Sequence, residues 1–272
     1  MVRKNLIVFV VLLSLFLLSA CQESEAVQTE PVQTEGKECC TEPKKPLIPT
    51  EYEGFEIALF NKILCVGDSL TAGTFNHGLR GDQYEDIGKY SYPTYLQRLT
   101  GVETVNHGLG ARTAANWYNE MKNQDLSGFD CAIIQLGVND ALKQEGGWNE
   151  TSAQAYNNII AKLKQENKRI KIFVSTIIPA DSYLSESLIA ASESIRNWYA
   201  GLEDQTDIFL LDMAVYAHTN DSAAYQAGHL SAYGNLVLAK DYQAYISYLI
   251  ATEKEKFQWV QFSNSDYGYK GQ

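Results

Sequence analysis

Short apolar runs and amphipathic stretches alternate along the chain from about residue 60 to residue 250. Short apolar runs predict buried strands, and apolar residues spaced three or four positions apart predict helices. The predicted strands cover 62–67, 103–106, 131–136, 170–176 and 208–211, and the predicted helices cover 91–100, 113–122, 151–166, 183–202 and 231–250. This alternation predicts a three-layer α/β/α sandwich around a parallel five-stranded sheet. A long loop over 73–90 and a surface strand over 257–262 complete the predicted elements.

The first 20 residues depart from this pattern. Arg3 and Lys4 precede an apolar run over 6–18, which is too short to span a membrane comfortably. This arrangement is typical of a secretory signal peptide. The run ends in Leu-Ser-Ala-Cys at 18–21, which resembles a bacterial lipobox; the resemblance implies cleavage before Cys21 and lipid on its sulfur. An uncleaved N-terminal anchor is the alternative, and either one predicts an extracytoplasmic, membrane-anchored protein.

Residues 21–55 are predicted to form a flexible stalk, because polar residues and proline dominate and large apolar groups are scarce. Residues 56–272 are enough for one domain with a sizeable core. The formal charge of −11 becomes −13 without the signal segment, which carries two positive residues and no acid. Such an acidic chain is not expected to bind nucleic acid. No spacing of cysteine or histidine predicts a metal site, and no cofactor is expected.

The first predicted strand runs into Gly-Asp-Ser-Leu at 67–70. Ligands of parallel α/β sheets bind at the carboxyl ends of the strands, so Ser69 is a candidate nucleophile. The alternative is that Asp68 and Ser69 only cap a helix. Three later stretches favour the nucleophile: Asn-His-Gly-Leu-Gly-Ala at 106–111, Gly-Val-Asn-Asp at 137–140 and His-Leu-Ser-Ala-Tyr-Gly at 229–234.

In this order the four stretches resemble the blocks of the GDSL-type, or SGNH, hydrolases, over roughly residues 60–250. The resemblance implies a flavodoxin-like fold and a serine esterase with Ser69 as nucleophile and His229 as base. It also implies three donors to an oxyanion: the Ser69 backbone N–H, the Asn139 side-chain amide and a backbone N–H of the second block. Ala111 stands where the family has glycine and is the first choice for that third donor, and Gly110 is the second.

One position departs from the family, which usually has aspartate three residues before the histidine. Here that position is Gln226. The Gln226 side chain or a backbone carbonyl can fix the His229 tautomer by accepting its N–H, which would leave a Ser–His dyad. Alternatively, Asp221 folds back as the acid of a triad, and Asp212 is a weaker candidate. The dyad is favoured.

The leading hypothesis is a lipid-anchored serine esterase that hydrolyses short acyl esters, with acetylated carbohydrates as a suggested substrate. A lipase, lysophospholipase or thioesterase of the same fold is the alternative among enzymes. A non-catalytic surface module that binds glycans is the alternative from another class. His77 is expected to line the cleft, and His107 to be structural. Aromatic residues in or near predicted loops are candidates for stacking on sugar rings, namely Tyr84, Tyr90, Tyr92, Trp117 and Trp148. The oligomeric state is not predicted.

Overall fold

A computed structural model describes residues 52–76, 84–179, 186–226 and 228–258, although the side chain of Gln226 is not described. The described residues all belong to one compact unit. The predicted signal peptide, Cys21, most of the predicted stalk and His77 lie outside the described residues. So does the distal part of the strand predicted over 257–262.

The described strands are β1 (Lys62–Gly67), β2 (Thr74–Asn76), β3 (Tyr84–Asp86), β4 (Glu103–Gly108), β5 (Cys131–Gln135), β6 (Lys171–Ser175), β7 (Ile208–Leu211), β8 (Tyr225–Gln226) and β9 (His229–Leu230). The described α-helices are α1 (Ser69–Ala72), α2 (Tyr92–Thr100), α3 (Ala114–Met121), α4 (Val138–Lys143), α5 (Glu150–Glu166), α6 (Glu186–Ala200), α7 (Met213–Tyr216) and α8 (Ala232–Thr252). Short 3-10 helices cover Glu56–Leu59, Gly88–Tyr90, Ser222–Ala224 and Lys254–Lys256.

The central sheet has five parallel strands in the order β4-β1-β5-β6-β7. This is the flavodoxin-like order, and the predicted fold is confirmed. The chain passes from β1 to one edge of the sheet and then returns to the other side of β1. The point of reversal lies between β1 and β5, where ligands of such sheets bind. The segments that follow β1 and β5 therefore flank the expected binding crevice.

The two faces of the sheet carry separate halves of the core. On β1, Ile63 and Cys65 pack in the cluster that contains residues of α2 and α8. Leu64 and Val66 point the other way, into the cluster formed with α3, α5 and α6. Since both faces are covered, each strand is almost continuously apolar, which explains why the apolar runs predicted these strands correctly.

The segment predicted as a loop over 73–90 contains a short antiparallel hairpin instead. Strands β2 and β3 pair with Thr74 opposite Asp86 and Asn76 opposite Tyr84. The strands are only three residues long and mostly polar, so no alternation of apolar and polar positions reveals them. The connecting residues 77–83 lie outside the description.

Both ends of the folded domain also differ from the sequence prediction. Before residue 56, the ring of Tyr52 packs edge-on against Tyr248, with 5.8 Å between centroids. After α8, Phe257 is buried and stacks on Phe209 at 4.8 Å rather than starting a surface strand. No helix in the described ranges is long and apolar enough to span a membrane.

Candidate active site

Ser69 is the first residue of α1, directly after β1. Asp68 caps this helix, because its carboxylate accepts a hydrogen bond from the backbone N–H of Leu70 at 3.0 Å. A Cβ atom on Gly67 would lie 1.9 Å from Oγ1 of Thr71, so only glycine fits this tight turn. The backbone N–H of Ser69 belongs to the first helical turn, whose donors have no acceptor within the helix. The turn thus presents both the hydroxyl and the N–H of one residue.

His229 lies on β9, in the hairpin that precedes α8. Its Nε2 atom is 3.0 Å from Oγ of Ser69, within the range for proton transfer. Ser231 anchors this loop by accepting from the N–H of Gly234 at 3.0 Å and donating to the carbonyl of Ala223 at 2.6 Å. The loop is therefore fixed against the first turn of α8, and the predicted nucleophile and base lie together.

Asn139 lies on α4, which follows β5 on the other side of the crevice. Its Nδ2 atom donates to Oδ2 of Asp68 at 3.1 Å. An amide nitrogen carries two N–H groups, so this bond fixes the amide and leaves one donor for a ligand in the cleft. Asp68 is buried, and desolvation raises its pKa to about 7, although the hydrogen bonds from Leu70 and Asn139 oppose that shift. Asp68 therefore caps α1 and also holds the Asn139 amide.

Ala111 has a φ of +61°, and among the described residues it alone has a positive φ without being glycine. The left-handed conformation costs a residue with a Cβ atom roughly 1–2 kcal/mol. In the same turn the N–H of Leu109 donates to Gly67 at 3.0 Å and that of Arg112 donates to Leu109 at 3.3 Å. Within the described chain, the N–H groups of Gly110 and Ala111 donate to no backbone carbonyl. Both therefore remain available to a ligand.

These groups line one open cleft with a volume of about 650 Å³, a size typical of small-molecule sites. Its lining residues are Ser69, Thr74, Tyr84, Glu85, Asp86, Gly110, Ala111, Asn139, Lys143 and His229. The half-exposed ring of Tyr84 lies 5.1 Å from the His229 ring, measured between centroids. The described lining includes no Leu, Ile, Val, Met or Phe.

The two candidate acids for a triad are engaged elsewhere. Asp221 is exposed and caps the turn after it, accepting from the N–H of Ala223 at 2.8 Å. Asp212 binds the guanidinium of Arg196 through two hydrogen bonds of 3.0 and 2.7 Å. Neither carboxylate is hydrogen-bonded to His229 in the described structure. The Gln226 side chain lies outside the description, and the dyad stays a prediction.

The buried carboxylate of Asp140 links the segments that support the site. Its carboxylate accepts from the N–H of Ala114 at 3.0 Å, from the Gln144 side chain at 2.8 Å and from the Ser152 hydroxyl at 2.7 Å. These partners lie on α3, just after α4, and on α5, so one buried group joins three segments. His107, which the sequence predicts to be structural, lies on β4. Burial lowers its pKa, and its ring packs edge-on against Phe129.

The aromatic candidates for sugar stacking differ in their burial and in whether they line the cleft. Tyr92 and Trp117 are fully or almost fully buried in the two core clusters, so their proposed role at a sugar site is wrong. Tyr84 is the one of the five that lines the cleft in the described structure. Burial of Tyr92 and Trp117 was not readable from the sequence, since it depends on which face of α2 or α3 packs inward.

Four lining residues were not predicted from the sequence, namely Thr74, Glu85, Asp86 and Lys143. The acids belong to the hairpin that the pattern did not reveal. Lys143 lies four residues after Asn139, and residues at that spacing share one face of a helix. Recognising a helix from 138 onward would therefore have placed Lys143 beside the amide. Among the described residues, no group of three or more His, Cys, Asp or Glu side chains could hold a metal ion.

Comparisons with known proteins give one family match and several similar folds. Residues 65–237 match the model of the GDSL-like lipase/acylhydrolase family. The fold is similar to a family two carbohydrate esterase from Clostridium thermocellum in complex with cellohexaose, with TM-score 0.53, 15% identity, and coverage of 76% of this chain and 66% of that chain. The aryl esterase of M. smegmatis has TM-score 0.51 and 18% identity, with coverage of 71% of this chain and 99% of that chain. An acetyl esterase mutant with an acetate ion has TM-score 0.50 and 16% identity, with coverage of 71% of this chain and 98% of that chain. The chain matches no curated protein.

Proposed function

The chain belongs to the GDSL-like lipase/acylhydrolase family, and on this premise we propose that it is a serine esterase that removes short acyl groups from small or carbohydrate esters. The observation that carries the chemistry is the hydrogen bond between Oγ of Ser69 and Nε2 of His229 at 3.0 Å. A serine hydroxyl is a weak nucleophile until a base removes its proton, and this contact supplies the base.

In the first half-reaction, Oγ of Ser69 attacks the ester carbonyl carbon while its proton moves to Nε2 of His229. The carbonyl oxygen becomes an oxyanion. When the intermediate collapses, the bond to the alcohol oxygen breaks and His229 gives its proton to that oxygen. The alcohol leaves, and the acyl group remains on Ser69. Water then repeats the sequence with His229 as base, which releases the carboxylic acid and restores the serine.

Three donors converge on the developing oxyanion in this proposal. They are the backbone N–H of Ser69, the backbone N–H of Ala111 or of the adjacent Gly110, and the free N–H of the Asn139 amide. All line the same cleft. Their positions are fixed before substrate arrives, because Asp68 holds the amide and the turn after β4 holds the backbone donors. Such preorganised donors are usually the largest single catalytic term.

The lining of the cleft supports a short acyl group and a polar alcohol. Long acyl chains need an apolar channel, and the described lining offers no large aliphatic side chain. The exposed ring of Tyr84 offers an apolar face of the kind on which a sugar can stack. Proteins of similar fold include a carbohydrate esterase with bound cellohexaose and an acetyl esterase with acetate, which favours acetylated carbohydrates.

Acyl-chain preference tests this substrate class. We expect kcat/KM on p-nitrophenyl acetate to exceed that on the decanoate by at least about tenfold, since misfit of even one methylene group in a pocket can change kcat/KM by about 1–3 kcal/mol. Acetylated xylan and acetylated peptidoglycan, assayed for released acetate, then compare two carbohydrate carriers. A preference for the decanoate would contradict the proposal and indicate a lipase.

Replacing Asp221 tests the dyad. Asn can still cap the turn that Asp221 caps, so Asp221→Asn removes the charge and keeps the loop. We expect kcat/KM to fall by less than about tenfold, or under ~1.4 kcal/mol, because the carboxylate bonds to Ala223 rather than to His229. A loss of about 10³ or more in a folded variant would make Asp221 the acid of a triad.

The proposed membrane anchor has its own test. We expect the wild-type protein, expressed in a bacterial host, to partition into detergent and to incorporate labelled fatty acid. Cys21→Ser should do neither and should keep its signal segment, because the lipidated sulfur is absent. Cys40→Ser, which replaces a cysteine of the predicted stalk, is the matched control and should retain the label. An unlabelled wild-type protein would leave a plain signal peptide or an uncleaved anchor.

A further inference from the structure

Two cationic side chains hold the backbone carbonyls on either side of Ala111. Nη1 of Arg112 donates to the carbonyl oxygen of Gly110 at 3.0 Å. Nζ of Lys143 donates to the carbonyl oxygen of Ala111 itself at 3.0 Å. Between these carbonyls lies the residue whose φ of +61° is disfavoured for any side chain with a Cβ atom. Each of the two peptide groups that flank Ala111 therefore accepts a hydrogen bond from a charged side chain.

The Arg112 contact bears directly on the proposed oxyanion donor. The carbonyl of Gly110 and the N–H of Ala111 belong to one peptide group, and in a trans peptide they point in opposite directions. No described peptide bond is cis. A guanidinium bound to the carbonyl thus keeps the N–H directed away from itself. Hydrogen bonding at the carbonyl also polarises the peptide and strengthens its N–H as a donor.

Arg112 is itself held in place. Its Nε and Nη2 atoms donate to the carboxylate of Glu120 on α3, at 2.5 and 3.4 Å. The guanidinium therefore spans from a carboxylate to a carbonyl.

Lys143 holds the other side of Ala111. Fixing the Ala111 carbonyl restricts the torsions of that residue, which determine the relation between the two peptide groups. Lys143 lies on α4, one helical turn after Asn139, so the same helix supplies a proposed oxyanion donor and a constraint on another. Lys143 forms no ion pair in the described part of the chain, although Glu85 and Asp86 line the same cleft. Its hydrogen bond to the Ala111 carbonyl is the one that the described residues give it, and its charge also opposes the rise in the Asp68 pKa.

We propose that Arg112 and Lys143 are positioning residues of the oxyanion hole, which hold the Ala111 peptide in its left-handed conformation so that its N–H faces the reacting carbonyl; this inference rests on the proposed esterase function. The hydrogen bonds from Arg112 and Lys143, here called the clamp, explain why alanine is acceptable at a position that favours glycine. Two charge-assisted hydrogen bonds offset the cost of the conformation, although each contributes less at an exposed site than at a buried one. The clamp is expected to affect the rate of the chemical step rather than substrate binding, because the oxyanion forms only during the reaction.

The test compares Lys143→Met and Arg112→Met with the conservative variants Lys143→Arg and Arg112→Lys. Lys122→Met is the matched control, since Lys122 is also an exposed lysine with a hydrogen bond, at 3.1 Å to Asn119, and it does not line the cleft. Steady-state kcat and KM on p-nitrophenyl acetate are measured for the full-length protein. A fluorophosphonate titration counts the reactive serine in each preparation, so that kcat refers to active enzyme.

We expect each methionine variant to lower kcat about tenfold with KM changed by less than about twofold. The conservative variants should recover kcat to within about threefold of wild type, because each retains a cationic donor to the same carbonyl. Lys122→Met should leave both constants unchanged.

Three results would overturn the proposal. An unchanged kcat in both methionine variants would remove the clamp from catalysis. A raised KM with unchanged kcat would make the cations substrate-binding residues. A loss of kcat that the conservative variants share would assign the effect to side-chain shape. In each case a wild-type enzyme that hydrolyses the ester through Ser69 leaves the proposed function standing, whereas a wild-type protein without esterase activity removes that function first.

Discussion

Ser69→Ala is expected to reduce kcat/KM for ester hydrolysis by at least about 10⁴ while the domain stays folded. Removing the nucleophile of a serine hydrolase leaves only binding and oxyanion stabilisation, and such losses reach several orders of magnitude. In this structure Oγ of Ser69 contacts Nε2 of His229. The helix cap does not depend on the hydroxyl, because Asp68 provides it. Alanine also suits the first turn of a helix, so the fold should tolerate the change.

The measurement pairs kcat/KM on p-nitrophenyl acetate with thermal unfolding followed by circular dichroism. Ser127→Ala is a suitable control, since Ser127 is an exposed serine that does not line the cleft. The fluorophosphonate probe should label the wild type and the control but not Ser69→Ala. A folded Ser69→Ala variant that keeps more than about a tenth of wild-type activity would exclude Ser69 as the nucleophile.

Asn139→Ala is expected to lower kcat by about 10²–10³ with KM nearly unchanged, which is the effect of losing one oxyanion donor. The amide acts mainly on charge that develops during the reaction, so substrate binding should change little. A second effect follows from the bond to Asp68. That buried carboxylate would lose a donor, and an unsatisfied buried group costs about 1–3 kcal/mol of folding stability.

The two effects separate when kcat is normalised to titrated serine and unfolding is measured in parallel. Asn119→Ala, at an exposed position on α3, should leave kcat and KM unchanged. If Asn139→Ala raises KM while kcat holds, the amide binds substrate rather than the oxyanion. If the loss of kcat disappears after normalisation, Asn139 supports the fold alone.

Most elements of the sheet were predictable because they are buried on both faces. The strand over 131–135 consists almost entirely of apolar residues, and such a run identifies a strand without knowledge of its neighbours. The helix from Ala232 to Thr252 was found within two residues at each end, since Ser231 is a good cap. The hairpin of β2 and β3 was missed because its strands are too short and polar to show a period.

Local sequence patterns indicated the residues proposed to carry the chemistry, since Gly-Asp-Ser-Leu, Gly-Val-Asn-Asp and the late histidine are local motifs in a recognisable order. The sequence by itself also determined the alternation of strands and helices, which depends on neighbours along the chain. The folded structure was needed to show that Ser69 and His229, 160 positions apart, meet at 3.0 Å. It alone decided that Asp68 holds the Asn139 amide and that Lys143 reaches Ala111. The physical reason is that such bonds join segments brought together by packing of the sheet and its helices, and a local pattern carries no information on which distant partner a side chain will find.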